Sequence, residues 1–158
     1  RRGRSGGIVL SQATVMAHLR KIVRCVDVMK VNGLPFLVTI SRELKFGTVA
    51  WVKKSKADTI LEQSTTVHKT YIKRGFLLEI VEVDGQFEPL RGALAEMGIT
   101  LNKCSREEHV PVAEHQIQTL KERCRSIFNT PPFPKLPGML TVQMVSTCNF
   151  WLNIYPPK

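Results

Sequence analysis

The stretch that decides the fold is residues 23–52, VRCVDVMKVNGLPFLVTISRELKFGTVAWV. Side chains along a β-strand alternate between two faces. In the first segment Val23, Cys25, Asp27 and Met29 therefore share one face, which places a carboxylate in an apolar row. An ionised carboxylate is expensive to bury alone, so such a strand usually supplies a compensating charge, a hydrogen-bond network or a metal ion beside it. Asp27 is the first candidate functional residue.

A three-stranded antiparallel meander is the prediction for this stretch. Asn32-Gly33 is a two-residue turn sequence of the type that joins antiparallel strands with the correct twist. Leu34 to Ser41 follows at once as a second strand. The run from Phe46 to Val52 is rich in β-branched and aromatic residues, which predicts a third strand.

The remaining chain alternates helices with strands. A helical pattern ends at Gly75, and a strand from Phe76 to Val83 then runs directly into Asp84-Gly85. The further predicted elements are a short helix (Phe87 to Met97), a brief strand (Ile99 to Asn102), a long helix (Pro111 to about Asn129) and a last helix (Leu140 to Leu152). This order is that of the ribonuclease H-like fold. We therefore predict an α/β protein with a five-stranded mixed sheet flanked by helices.

Helical spacing predicts the buried side of each helix. His68 lies on the apolar stripe of the helix before Gly75, and we expect it to be packed at the core edge rather than to act as a ligand. The last helix is expected to dock on the core or to pack against another subunit. The predicted core-facing residues are Ile117, Leu120, Cys124, Ile127 and Phe128 on the long helix, and Leu140, Met144, Val145, Cys148, Trp151 and Leu152 on the last helix.

The charge of the chain bears on its partner. Its 158 residues carry a formal net charge of +10 with a pI near 9.8, which favours a polyanionic partner, nucleic acid ahead of a membrane surface. A merely basic soluble protein is the alternative. No apolar run approaches the roughly 18 residues of a membrane span. Cys25, Cys104, Cys124 and Cys148 are widely separated, which predicts small core residues in a reducing compartment rather than a disulfide framework or a zinc finger.

We divide the chain into three parts. Residues 1–21 are expected to form a basic arm and a short lead-in helix, 22–129 the core, and 130–158 a proline-rich linker with a C-terminal helix packing on the core. Ser55 and Asp58 form a capping-box pattern at the start of the helix that ends at Gly75. Because the sequence starts without methionine and ends abruptly, we expect it to be a piece of a longer polypeptide.

Three carboxylates are expected to converge at one edge of the sheet. In the predicted order the first and fourth strands are neighbours, so Asp27 and Asp84 would lie side by side, and the helix after the fifth strand would bring Glu114 to the same edge. Converging carboxylates repel unless divalent cations intervene, and such oxygen ligands suit Mg²⁺ or Mn²⁺. The simpler alternatives are an Asp-Gly turn for Asp84 and a solvated helix face for Glu114.

Several segments also carry a family resemblance. They are CVDVMKVNGLPFLVTISR from Cys25 to Arg42, VDGQFEPL from Val83 to Leu90, EHVPVAE from Glu108 to Glu114, and QTLKER from Gln118 to Arg123. In these segments the chain resembles the catalytic core of retroelement integrases of the D,D,E class. It resembles more closely the integrase-like segment of Ty1/copia-type retrotransposon polyproteins.

The resemblance implies a reaction and its residues. Asp27, Asp84 and Glu114 would be the three catalytic carboxylates of a two-metal site for Mg²⁺ or Mn²⁺. The implied activity is polynucleotidyl transfer, namely 3′-end processing and strand transfer of retroelement DNA into target DNA. Glu107 and Glu108 remain alternatives for the third carboxylate, because the interval from Asp84 to Glu114 is short for a retroviral integrase.

The expected partners follow from this activity. The DNA backbone is expected to be held by His115, Gln118, Lys121 and Arg125. Contacts of this kind do not depend on the base sequence of the DNA. The implied partners are retroelement cDNA ends and target DNA, with homo-oligomerisation and no membrane association. The implied place of action is intracellular, in the nucleus. Two alternatives stay open: a catalytically inactive nucleic-acid-binding or assembly module with the same fold, and a hydrolytic ribonuclease H-like nuclease.

Overall fold

The computed structural model describes residues 20–53, 57–103, 111–132 and 135–156, and its elements follow the predicted order. The strands are β1 (Lys21–Val31), β2 (Leu34–Ser41), β3 (Gly47–Trp51), β4 (Leu77–Val83) and β5 (Thr100–Lys103). The helices are α1 (Ala57–Lys73), a 3-10 helix (Gly85–Leu90), α2 (Arg91–Glu96), α3 (Pro111–Phe128) and α4 (Gly138–Ile154). Lys21, which the sequence placed in a lead-in helix, is instead the first residue of β1. The rest of that predicted helix, Ser55 and Cys104 lie outside the described residues.

The five strands form one mixed sheet in the order β3-β2-β1-β4-β5. β1 lies at its centre, antiparallel to β2 and parallel to β4. The β1–β2 turn has φ values of 49° at Asn32 and 77° at Gly33, and positive values at both central residues define the hairpin turn that the Asn-Gly sequence predicts. The predicted five-stranded mixed sheet is confirmed.

Helices cover both faces of the sheet, so the central strand β1 is buried on both sides. Ile22 and Val26 of β1 belong to a core that also contains Tyr71 of α1. On the opposite face, Met29 of β1 packs in a second core with residues of α3 and α4 such as Leu120. Asp27 follows the alternation of this second face, beside Cys25 and Met29. The sheet therefore presents the carboxylate to α3.

A buried arginine accompanies the first core. Arg24 is 0% exposed, and its Nη1 donates to the carbonyl oxygen of Ser64 at 3.1 Å. Its Nε and Nη2 have no hydrogen-bond partner among the described residues. Burial lowers the pKa of Arg24 to about 10, while the nearby Tyr71 acts in the opposite direction. The guanidinium thus stays charged at neutral pH inside the protein.

The predicted core roles of His68 and of three cysteines are confirmed. His68 is only 9% exposed, and burial, followed by the charge of Arg24, lowers its pKa. Cys25, Cys124 and Cys148 are buried free thiols. The thiols of Cys124 and Cys148 share a hydrogen bond that joins α3 to α4, and this bond and burial raise the pKa of Cys124.

Three predicted core residues are exposed instead: Ile127 by 43%, Leu140 by 53% and Trp151 by 45%. Ile127 has the angular position of a core residue, but it lies in the last turn of α3, and helical spacing does not reveal how far the neighbouring layer extends. Leu140 and Trp151 lie about 90° or more from the centre of the buried stripe of α4, at 100° per residue. Because α4 is apolar on several sides, its pattern did not single out the stripe that docks.

No helix in the described ranges is long and apolar enough to cross a membrane.

Two asparagines of α4 dock this helix on the start of β3. The carbonyl oxygen of Gly47 accepts hydrogen bonds from Asn149 Nδ2 at 2.9 Å and from Asn153 Nδ2 at 2.8 Å. The amide of Gly47 donates to Asn153 Oδ1 at 2.8 Å. A Cβ atom at position 47 would lie 2.8 Å from Gln116 Nε2 and 3.0 Å from Asn149 Oδ1. An alanine at position 47 would therefore force the side-chain ends of Gln116 and Asn149 to shift.

We expect Gly47→Ala to destabilise the protein by about 1–3 kcal/mol, the usual cost of overpacking a tight contact. Thermal unfolding followed by circular dichroism measures this loss. Gly92→Ala is the matched control, because a Cβ atom there meets nothing within 4 Å, and alanine is favoured over glycine in a helix. Equal melting temperatures for the Gly47→Ala protein and the parent would contradict the expected clash.

Candidate functional site

The sheet register brings two aspartates together. The parallel pairing of β1 with β4 runs up to Val26 opposite Val83, and Asp27 and Asp84 are the next residues on the two strands. The backbone amide of Val28 donates to Asp27 Oδ1, and the amide of Gly85 donates to Asp84 Oδ1, each at 2.6 Å. Asp84 thereby caps the 3-10 helix, so the chain continues into a helix and not into the simple turn weighed from the sequence. Each bond uses only one carboxylate oxygen.

Glu114 reaches the same region from the first turn of α3. Burial raises the pKa of Asp27 above its usual value, and the negative charges of Asp84 and Glu114 raise it further. The amide of Val28 and the positive charge of Lys121 oppose this shift. Asp27 therefore lies in a field of carboxylates that Lys121 offsets only in part.

A cavity of about 430 Å³ opens beside these carboxylates. Asp27 and Glu114 line it together with Gln118, Lys121 and Arg125 of α3. These α3 residues belong to the predicted backbone-binding set. The cavity thus combines Asp27 at the sheet edge with Glu114 and two cations on the facing helix α3. The cations are suited to contact phosphate oxygens.

His115 and Asp84 do not line this cavity. His115 lines a separate cavity of about 370 Å³, with Ile40, Lys45 and Val112 among its neighbours. Asp84 is exposed. The strand register places it next to Asp27, but its side chain does not line the cavity. Glu107 and Glu108, the alternatives for the third carboxylate, lie outside the described residues.

The three carboxylates are chemically suitable ligands for a metal ion, but their side chains are not arranged to bind one together. Asp27, Asp84 and Glu114 offer only oxygen ligands, which Mg²⁺ and Mn²⁺ prefer. Burial is the main cause of the raised pKa of Asp27, and the negative charges of Asp84 and Glu114, which a cation would offset, raise it further. Within the described ranges, however, no group of three or more His, Cys, Asp or Glu side chains is arranged to hold a metal ion. Glu114, the member of this set on α3, is exposed.

Sequence reasoning missed a buried carboxylate next to this site. Glu82 lies two residues before Asp84 on β4, is only 8% exposed, and accepts a hydrogen bond from Arg42 Nη2 at 2.6 Å. The Cys25 thiol also donates to Glu82 Oε2 at 3.3 Å. Burial and this bond raise the pKa of Cys25 to about 12, so the thiol is a neutral donor. The two-residue spacing from Asp84 was the available signal for Glu82, since it puts both on one face of the strand.

A second missed residue is Lys103, the last residue of β5. It pairs with Val83, directly before Asp84. A Cβ atom at Gly85 would lie 3.1 Å from Lys103 Cε and 3.6 Å from its Nζ. The sequence signal that could have identified Lys103 is its place at the end of a parallel strand, because parallel strands bring their carboxyl ends to the same edge of the sheet. The predicted fifth strand ended one residue too early, at Asn102. Lys103 adds a cation on the Asp84 side of the site.

The strand order, register and two-sided helical covering define a ribonuclease H-like fold. The chain is similar to the catalytic core domain of BIV integrase, with a TM-score of 0.66 over 86% of each chain and 13% sequence identity. At this identity the likeness shows the fold alone. No protein-family model matches the sequence, and a comparison with curated protein sequences finds no significant match.

Proposed function

We propose that this chain is a polynucleotidyl transferase domain that processes DNA 3′ ends and joins them to target DNA. The observation that carries the proposal is the pair Asp27 and Asp84 at the ends of adjacent parallel strands, facing Glu114 on α3. The ribonuclease H-like fold and its likeness to an integrase catalytic core support it.

The chain's own residues would position the DNA and the attacking group. Lys121 and Arg125 line the carboxylate cavity and would hold phosphate oxygens by charge, whereas Gln118 would add an amide contact. Lys103 would hold a phosphate on the side of Asp84. The net charge of +10 would draw a nucleic acid to this surface.

Asp27, Asp84 and Glu114 would hold Mg²⁺ or Mn²⁺ at the site. When bound, such ions activate a hydroxyl nucleophile and stabilise charge on the reacting phosphate. The exposed Glu114 would have to move toward the two aspartates, because no three-ligand group is assembled in the described part of the chain. Glu108 remains the alternative third carboxylate.

The finer parts of the proposal rest on the sequence resemblance. They are membership of a Ty1/copia-type retrotransposon polyprotein, action in the nucleus on retroelement cDNA ends, and assembly into a homo-oligomer. An exposed aromatic pair at the C-terminal end of α4 favours the last point: Trp151 stacks on Tyr155, the residue after the helix, with ring centroids 5.8 Å apart, and both are exposed. Contiguous exposed apolar surface is a usual feature of protein interfaces.

A non-catalytic nucleic-acid-binding module is the second candidate. It is favoured by the lack of an assembled three-ligand group within residues 20–53, 57–103, 111–132 and 135–156. Such a module would keep the fold and the basic surface without the chemistry.

A strand-joining assay separates these functions. A labelled DNA duplex with a free 3′ hydroxyl is incubated with target DNA and Mg²⁺ or Mn²⁺, and we expect longer, covalently joined products. Cleavage without joining would contradict the transferase function and indicate a hydrolytic nuclease instead. Metal-independent binding with neither product would leave the non-catalytic module.

A further inference from the structure

The surface proposed to bind DNA continues past the carboxylates into a second cavity. This cavity has a volume of about 250 Å³ and lies between the β1–β2 turn and the C-terminal half of α3. Lys121 and Arg125 line both cavities, so they stand between the carboxylate site and this second cavity. Lys30 lines its other side, about 10 Å along β1 from Asp27 at the usual rise per residue.

The rim of the second cavity is cationic. Lys30 and Arg125 are exposed, and Lys121 is partly exposed. A rim of this kind attracts a ligand with several negative charges, and phosphate groups meet that requirement.

The floor of the same cavity is apolar. Phe128 and Met144 line it with Val31 and Cys124. Met144 is only 8% exposed, and the hydrogen bond to Cys148, followed by burial, raises the pKa of Cys124, so its thiol is uncharged. An apolar floor with an aromatic ring suits a flat, uncharged group such as a nucleobase, which gains by stacking on aromatic side chains. The volume is below the usual range for drug-sized ligands, so the cavity suits one unit rather than a large molecule.

We infer that this cavity is a nucleotide subsite, which takes one unpaired base of a DNA strand on Phe128 while Lys30, Lys121 and Arg125 hold the flanking phosphates. The inference deepens the proposed function and rests on its nucleic-acid-binding part. It adds Lys30 and Phe128 to the residues that contact DNA. It also defines a path for the DNA strand over the protein surface, from the carboxylate site to the β1–β2 turn. An acidic peptide would satisfy the cationic rim but would not use the aromatic floor.

The test is binding of a fluorescent single-stranded DNA oligonucleotide in EDTA, measured by anisotropy at several salt concentrations. We expect Lys30→Gln to weaken binding at low salt by about three- to tenfold and to reduce the salt slope by about 0.7, the value for one lost contact with a single strand. Lys69→Gln removes the same charge from an exposed position on α1, on the opposite face of the sheet, and should change neither quantity.

The base is tested with an oligonucleotide of equal charge that lacks bases. The parent should bind this abasic strand about fivefold or more weakly than the normal strand, and Phe128→Leu should reduce that preference while melting close to the parent. If both strands bind alike, the surface is only a phosphate patch and the subsite is overturned. The subsite is also overturned if Lys30→Gln behaves as Lys69→Gln does. Because EDTA prevents metal-dependent chemistry, a failure of strand joining would leave these results unaffected.

Discussion

Replacing Asp27 by asparagine is expected to abolish strand joining and to stabilise the metal-free protein. Loss of one member of a catalytic unit usually lowers turnover by about 10³-fold or more. The same change removes a negative charge that burial, Asp84 and Glu114 all disfavour. We expect the melting temperature to rise by about 2–4 °C, the shift that about 1 kcal/mol produces in a domain of this size.

The stabilisation should depend on pH in a defined direction. Since the folded-state pKa of Asp27 is raised, the favourable contribution of its protonated form is present in acid and is lost as the pH rises through that pKa. The parent should therefore approach the Asp27→Asn protein in stability at low pH. Above the folded-state pKa of Asp27, the difference between their melting temperatures should be largest. Thermal melts from acid to neutral pH in EDTA measure this difference.

Added Mn²⁺ should reverse the order of stability. An ion that binds only the folded parent stabilises it by RT ln(1 + [metal]/Kd), about 2.7 kcal/mol at 100 times Kd. We expect Asp27→Asn, Asp84→Asn and Glu114→Gln each to lose this gain. Glu96→Gln on α2 is the control for an exposed carboxylate away from the site, and Glu108→Gln tests the alternative third ligand. If the parent protein has the same melting temperature with and without Mn²⁺, the metal-site hypothesis is wrong, and the non-catalytic module becomes the favoured function.

The sequence predicted the elements that obey local rules. Asn32-Gly33 determined the hairpin because few other residue pairs adopt two positive φ angles. The strand order then followed from the alternation of elements, and it placed Asp27 beside Asp84 without any knowledge of side-chain contacts. The adjacency of these two candidate residues was therefore predictable, whereas their catalytic roles remain predictions.

Long-range pairing was not predictable in the same way. Arg24 alternates with Asp27 along β1, and sequence alternation cannot tell that both faces of a central strand are covered. Arg42 follows β2, yet it reaches Glu82 on β4 across the intervening β1. Such a contact depends on the packed sheet and leaves no spacing signal along the chain.

The Arg42–Glu82 pair provides the second large expected effect. Glu82 has an 11% exposed side chain and Arg42 a 46% exposed one, so Arg42→Gln leaves a nearly buried carboxylate without its cation. Breaking a fully buried pair in this way costs about 3–5 kcal/mol. Because Arg42 is half exposed and water screens part of the interaction, we expect a loss of about 2 kcal/mol in the free energy of unfolding. Urea unfolding measures it.

A double-mutant cycle identifies the cause of this loss. Glu82→Gln removes the buried charge, and its amide oxygen can still accept from the Cys25 thiol, so this change alone should cost less than Arg42→Gln. In the Glu82→Gln background, Arg42→Gln should have little further effect, which gives a coupling energy of about 1–2 kcal/mol. Lys21→Gln breaks the exposed pair with Glu79 and should cost no more than about 0.5 kcal/mol. If Arg42→Gln costs as little as Lys21→Gln, Glu82 is adequately solvated without Arg42, and β4, which leads into Asp84, does not depend on this ion pair.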